Sequence, residues 1–195
     1  MGLRLRSISA TARQRASSFL LLAVLAFSTA LARAADAAIA VTVNRSGEVF
    51  HVAATIHTTA PLPTVWEVMT DFEHMTTILN NLKTSTVLKR DGHNLVVRQE
   101  GVARYGILSF SFESEREVNM EPPRRIFTRQ ISGTAKKMES EVVFEPVADG
   151  VTMRYIADIQ DDSIMGNLFG TAFLKHEIEE QFQLMVVEME RRAKR

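Results

Sequence analysis

The chain has 195 residues, 46% of them hydrophobic, with 23 basic against 23 acidic side chains and no cysteine. A disulfide framework is therefore excluded, and there is no basic surplus of the kind that nucleic-acid binding needs. The length suits one domain with one core, behind a leader.

Residues 1–34 read as a secretory signal peptide. Arg4, Arg6, Arg13 and Arg15 precede an apolar run at 19–27 that continues through Ala32, and no acidic residue occurs before Asp36. Ala32-Arg33-Ala34 places small residues where a signal peptidase reads, so cleavage is expected after Ala34. The run is about 14 residues, short of the roughly 20 that a spanning helix needs, so no integral membrane segment is expected once the signal is removed. With no cysteine there is no lipoprotein anchor, and the leader lacks the consecutive arginines of the twin-arginine route. Arg33 leaves with the other four arginines, which makes the mature domain, 35–195, mildly acidic. The expected location is periplasmic or secreted.

In chain order, Ile39–Val43 and Val49–Ile56 are strand-like around the turn signal Asn44-Arg45-Ser46-Gly47, whose first three residues also form a glycosylation sequon. Pro61 and Pro63 stop the second strand and start a short helix over Pro63–Thr70, because proline lacks a ladder donor yet suits a first helical turn. Val65, Trp66 and Met69 are expected on one side of it. A second short helix covers Glu73–Leu79. Six strand segments follow: Lys83–Lys89, Asn94–Tyr105, Ile107–Met120, Arg125–Ile131, Met138–Pro146 and Val151–Ile159. Asp91-Gly92, Pro122-Pro123, Gly133 and Asp149-Gly150 punctuate them. Connections this short do not make parallel crossovers, so the order is antiparallel. From Asn167 to Arg192 the period becomes 3.6. Leu174, Ile178, Phe182, Met185 and Met189 form one apolar stripe, with Glu177, Glu179, Glu180, Glu188 and Glu190 off it. Arg191, Arg192, Lys194 and Arg195 stand where the helix dipole is negative and read as helix-end stabilisation. The expected fold is α+β: a curved antiparallel sheet of about seven strands gripping a long C-terminal helix, with two short helices after the first strand region and an apolar hollow between sheet and helix.

Strand alternation assigns the faces. Val97, Gln99 and Tyr105 share the mainly apolar side of one strand; Phe110, Phe112 and Arg116 share that of the next; Met153 and Tyr155 face the same way on the last. Arg116, Gln99 and Gln130 are polar groups on an apolar face. A charge there either reaches solvent past the strand end or needs a carboxylate, a wet cavity or a polar ligand head. Met69, Met75, Met138, Met153, Met185 and Met189 read first as core, though methionines also line adaptable pockets.

Little points to catalysis. His51, His57, His74, His93 and His176 lack metal-ligand spacing. There is no nucleophile elbow, phosphate loop or dinucleotide fingerprint. Asp71 and the group Asp158, Asp161 and Asp162 lie near helix starts, where capping is the ordinary role, with general acid–base work as the alternative. No catalytic residue, metal or cofactor is assigned.

Ala60-Pro61, Val65-Trp66-Glu67-Val68 and Thr70-Asp71-Phe72, then Leu82–Leu88, Arg116-Glu117-Val118, Pro122-Pro123, Ile131-Ser132-Gly133 and the closing Phe173–Arg192 carry a family likeness. In these motifs the chain resembles the START-like (helix-grip) superfamily, in particular its polyketide cyclase/dehydrase-like and coenzyme Q-binding branch. The resemblance implies a cavity between the sheet and the last helix, and transfers no catalytic residue. Three readings stand open. The first is an exported, non-catalytic binding or transport protein for a hydrophobic small molecule or lipid. It would be held by Val97, Gln99, Tyr105, Phe110, Phe112, Arg116, Met153 and Tyr155, with Phe173, Ile178 and Phe182 from the helix. The second is a cyclase- or dehydrase-like enzyme using Tyr105, Arg116 or Asp71. The third is a protein-interaction module with a packed interior.

Overall fold

A computed structural model describes residues 39–160 and 170–195, without the side chains of Tyr105 and Leu108. The leader, Asp161, Asp162 and the first residues expected in the last helix lie outside that range. Eight strands, one more than expected, form one antiparallel sheet in the order β1-β2-β8-β7-β6-β5-β4-β3. They are β1 (Ile39–Ser46), β2 (Val49–Thr58), β3 (Leu82–Asp91), β4 (Asn94–Tyr105), β5 (Leu108–Glu121), β6 (Arg125–Gly133), β7 (Lys137–Val147) and β8 (Gly150–Gln160). Every neighbour pair but one joins consecutive strands. The exception, β2 beside β8, brings the opening hairpin against the end of the meander.

Between β2 and β3 the chain makes α1 (Leu62–Thr70) and a 3₁₀ helix (Phe72–Thr77). Pro61 and Pro63 bracket the start of α1, and the Pro61 carbonyl accepts from the Thr64 and Val65 amides. Val65 packs with Trp66 and Met69 against the core as expected, and Val68, which was not expected there, is as fully buried as Val65. Trp66 stays half-buried and meets the Phe144 ring edge-on, centroids 5.4 Å apart. The C-terminal helix, α2 (Gly170–Ala193), packs on β1, β2 and α1. Among the described residues no helix is long and apolar enough to cross a membrane.

The charged side chains take the outer face in cross-strand pairs such as Arg125 with Glu141, Arg129 with Glu139 and Arg154 with Glu145. Exposed pairs of this kind add little stability, but they fix which face is wet. The opposite face holds the core: Phe50, Ile56, Val97, Val118 and Met153 are at or below 1% exposure, as is Met189 from α2.

Candidate functional site

Strand register lines up a row of polar side chains across the concave face. Ser85 pairs with Gln99, Gln99 with Ser114, Arg116 with Gln130, Thr128 with Ser140, and Tyr155 stands opposite Val142 next to Ser140. On one side of this row lies the solid core built from Leu95, Val97, Val118, Phe144 and Met153. On the other side the sheet curls away from α2 and leaves a hollow of about 430 Å³. Phe110, Phe112 and Ala103 line its sheet side; Phe173, Ile178 and Phe182 line its helix side; Met69, Met75, Met138 and Met185 fill its edges. The volume lies within the range of small-molecule pockets.

The row is held together by hydrogen bonds, so its geometry is fixed before anything binds. Ser85 donates to the Phe72 carbonyl, Gln99 Nε2 donates to Ser85 Oγ at 2.9 Å, and Arg116 Nη2 donates to Gln99 Oε1 at 2.6 Å. Gln130 Nε2 donates to the Ala135 carbonyl, and Thr128 and Ser140 share a bond of 2.7 Å. Ser140 also hydrogen-bonds the Tyr155 phenol. Burial pushes that phenol above its usual pKa, so it stays protonated at neutral pH. Its ring meets Phe182 edge-on at 5.3 Å, which joins β8 to α2.

Arg116 points inward and lines the hollow, half-buried as a residue and fully buried at its Nε. No carboxylate pairs with it among the described residues, and its Nε is buried without a hydrogen-bond partner. Burial lowers its pKa from the usual arginine value, and the opposing charge effect of Tyr155 needs the phenolate, which is not the form present at neutral pH. Glu177 was expected on the wet face of α2 but is only 6% exposed and borders the hollow. Burial raises its pKa, partly offset by hydrogen bonds from Asn81 Nδ2, at 3.3 Å, and from the Arg104 backbone amide. With Asn80 donating to Glu180 at 3.1 Å, it ties the first half of α2 to the residues ahead of β3.

Of the residues expected to face a ligand, Gln99, Phe110, Phe112, Arg116, Tyr155, Phe173, Ile178 and Phe182 are brought together around the hollow. Val97 and Met153 are not: both are fully buried in the solid core on the far side of the polar row. The side chain of Tyr105 lies outside the described residues. Asp71 does not line the hollow either, and it caps neither helix with its side chain. Its carboxylate instead accepts from Arg192 Nη2 at 2.7 Å and pairs with His74 Nδ1 at 2.6 Å. The residues considered for catalysis are thus not assembled at one point. Among the described residues no cluster of three or more acidic or histidine side chains is spaced to hold a metal ion. Ser114, Thr128, Ser140 and Glu177 also line the hollow without having been among the expected contacts, although alternation puts Ser114 and Ser140 on the inward face. The signal for the first three was a polar residue at an inward position in consecutive strands; Glu177 gave none.

Solved structures with this architecture include a protein from Thermus thermophilus (TM-score 0.62, 17% identity, covering 73% of this chain and 99% of that one). The Zhui aromatase/cyclase of Streptomyces sp. R1128 aligns with a TM-score of 0.59 at 19% identity, over 74% of this chain and 95% of its own. A STAR-related lipid transfer protein fragment from Xanthomonas axonopodis gives 0.61 at 11% identity, over 80% of this chain and 96% of its own. At such identities the likeness establishes the fold alone. No curated protein matches the sequence closely enough to add to this. The family model described as "Polyketide cyclase / dehydrase and lipid transport" matches residues 49–193, from β2 to the last turn of α2, and the chain belongs to that family.

Proposed function

We propose that this is an exported, non-catalytic carrier of a hydrophobic small molecule or lipid, held between the sheet and α2. The observation that carries the reading is the hollow itself: a space of about 430 Å³ walled mostly by aromatic and aliphatic side chains. A packed interior would have closed it, since protein cores leave few voids larger than a water molecule. Aromatic rings do meet edge-on at its margins, Phe110 with Phe173 at 5.9 Å and Tyr155 with Phe182, but they frame the space rather than fill it. Burial of an apolar ligand against these walls contributes roughly 25 cal/mol per Å² removed from water. The family and the lipid-transfer and aromatase/cyclase structures of the same fold are in keeping with a hydrophobic occupant.

The test is native mass spectrometry of protein purified from its own source, with organic extraction of whatever accompanies it. A bound hydrophobic compound is expected at near-stoichiometric yield. The variant Ser140→Phe, which puts a ring into the hollow from β7, is expected to lower recovery at least about tenfold while keeping its circular dichroism. Repeated isolation of an empty wild-type domain that also takes up no added hydrophobic probe would sink the reading.

Export rests on the leader at residues 1–34. N-terminal sequencing of the protein from the extracytoplasmic fraction is expected to start at Ala35. Recovery of an intact Met1 in the cytoplasm would overturn it.

A further inference from the structure

The donors and acceptors of the polar row do not balance. The acceptors are taken: Gln99 Oε1 by Arg116, the Phe72 carbonyl by Ser85 and the Ala135 carbonyl by Gln130. What is left over is the positive charge of Arg116 and the Ser114 hydroxyl, which can donate or accept, with one orphaned acceptor, Asn81 Oδ1, elsewhere on the lining. Arg116 spends one N–H on Gln99, and its Nε has no partner. Two residues away on the same face of β5, the Ser114 hydroxyl is also buried without one. The other charged groups bordering the hollow are committed elsewhere. Glu177 is held by Asn81 and the Arg104 amide, and Glu113 turns outward to Arg98 at 3.7 Å. A guanidinium in such a place costs several kcal/mol unless a counter-charge arrives. A cation without a carboxylate partner calls for an anion, and the Ser114 hydroxyl beside it can donate to one.

We infer that the ligand is an amphiphilic acid: an apolar body in the hollow with one anionic group, carboxylate or phosphate monoester, seated at Arg116 and Ser114. This rests on the carrier reading and specifies its ligand class. The apolar walls leave room for a single chain or ring system, and the row offers one cation. The ligand is therefore a singly headed molecule of roughly drug size. Gln99, fixed by Ser85, anchors the guanidinium through its Nη2, which lowers the ordering cost of binding.

Isothermal titration calorimetry on the mature chain separates the possibilities, using dodecanoate, dodecanol and dodecyl phosphate at equal ionic strength. The acid or the phosphate is expected to bind at least about tenfold more tightly than the alcohol, the effect of a hydrogen bond to a charged group. Whichever of the two binds better identifies the source of the anion. In Arg116→Gln the preference is expected to shrink below about threefold with the alcohol's affinity little changed, and Arg116→Lys is expected to restore part of it. The ligand-free Arg116→Met protein is expected to melt higher than wild type, because an unneutralised buried charge has been removed. Equal affinity for acid and alcohol, or discrimination that survives Arg116→Gln, would overturn the anion assignment and leave the carrier standing. A lower melting temperature in Arg116→Met would likewise show the guanidinium already satisfied and overturn it. Failure of all three probes to bind would overturn both readings.

Discussion

Gly101→Ala is expected to lower stability by about 3 kcal/mol, at the upper end for overpacking, and to lower Tm by about 6–12 °C. Gly101 sits in β4 directly opposite Phe112 of β5. A Cβ built there falls 2.2 Å from the Asn81 carbonyl oxygen and 2.6 Å from Phe112 Cζ. The ring could swing aside, but the carbonyl is backbone and accepts from the Val102 amide at 2.8 Å. The chain before β3 would therefore have to move, along with the Asn81 side chain that donates to Glu177. Gly101 also lies where Phe112 covers the hollow, so ligand retention is expected to fall with stability. Gly106 provides the contrast. Its φ of +60° disfavours any side chain, yet nothing lies within 4 Å of a Cβ there, so Gly106→Ala carries only the left-handed cost of about 1–2 kcal/mol. Thermal melts of the two variants should separate clearly; coincident melts would refute the steric argument.

Arg192→Met is expected to cost about 2–3 kcal/mol, or about 5–10 °C in Tm, and the cost is expected to vanish in acid. Arg192 is not a solvated helix-end charge. Its Nη1 donates to Glu67 at 2.6 Å, its Nη2 to Asp71 at 2.7 Å and its Nε to Glu188 at 2.6 Å. Arg192, Asp71 and Glu188 are 14%, 19% and 15% exposed, so water screens the cluster weakly. Burial works against the charge on Arg192, and the hydrogen bonds it donates to its carboxylate partners outweigh it, so its pKa rises. Methionine keeps much of the apolar stem, so the loss reports the guanidinium. Hydrogen bonding from Arg191, opposed by burial and reinforced by Arg192, holds Glu188 down from 4.5 to about 2. At Asp71 burial pushes up, but hydrogen bonds from Arg192 and His74 win and the pKa falls. Depressed carboxylate pKa values stabilise the fold above the unfolded-state pKa and lose that contribution as pH falls through the folded one. The gap between wild type and variant is therefore expected to be full at pH 7 and to close between about 4.5 and about 2. A gap unchanged across that window would show that charge has no part in it.

Period-2 alternation was enough to place Gln99, Phe110, Phe112, Arg116 and Tyr155 on the concave face, and period 3.6 to place Ile178 and Phe182. Alternation says which side of a sheet a residue takes but nothing about position along it. Val97 and Gln99 share a face, yet one is core and the other borders the hollow, because the boundary is set by cross-strand register and by where the sheet leaves α2. The stripe on α2 holds, with Ile178, Phe182 and Met189 buried and Leu174 and Met185 bordering the hollow, but it is incomplete for a related reason. Glu177 and Val186 are buried where Leu174 and Met185 are only half-buried. Different parts of one face of α2 meet different neighbours: the chain ahead of β3 near the start, α1 and β1 near the end. The role of Arg192 was hidden because its partners Glu67 and Asp71 lie more than a hundred residues earlier.

The two halves of α2 are fastened by different chemistry. Its far end is embedded through Val186 and Met189 and locked by the Arg192 cluster. Its near half carries more polar fastenings: Asn80 to Glu180, and Asn81 and the Arg104 amide to Glu177, beside the buried Ile178 and the Phe110–Phe173 ring contact. Amide–carboxylate ties can be exchanged for water at small net cost, whereas buried aliphatic groups cannot. The rod is a cantilever, clamped at its tail and latched at its nose. On the carrier reading, polar bonds that water can replace make the near half of the rod the part that yields first while the strands stay zipped.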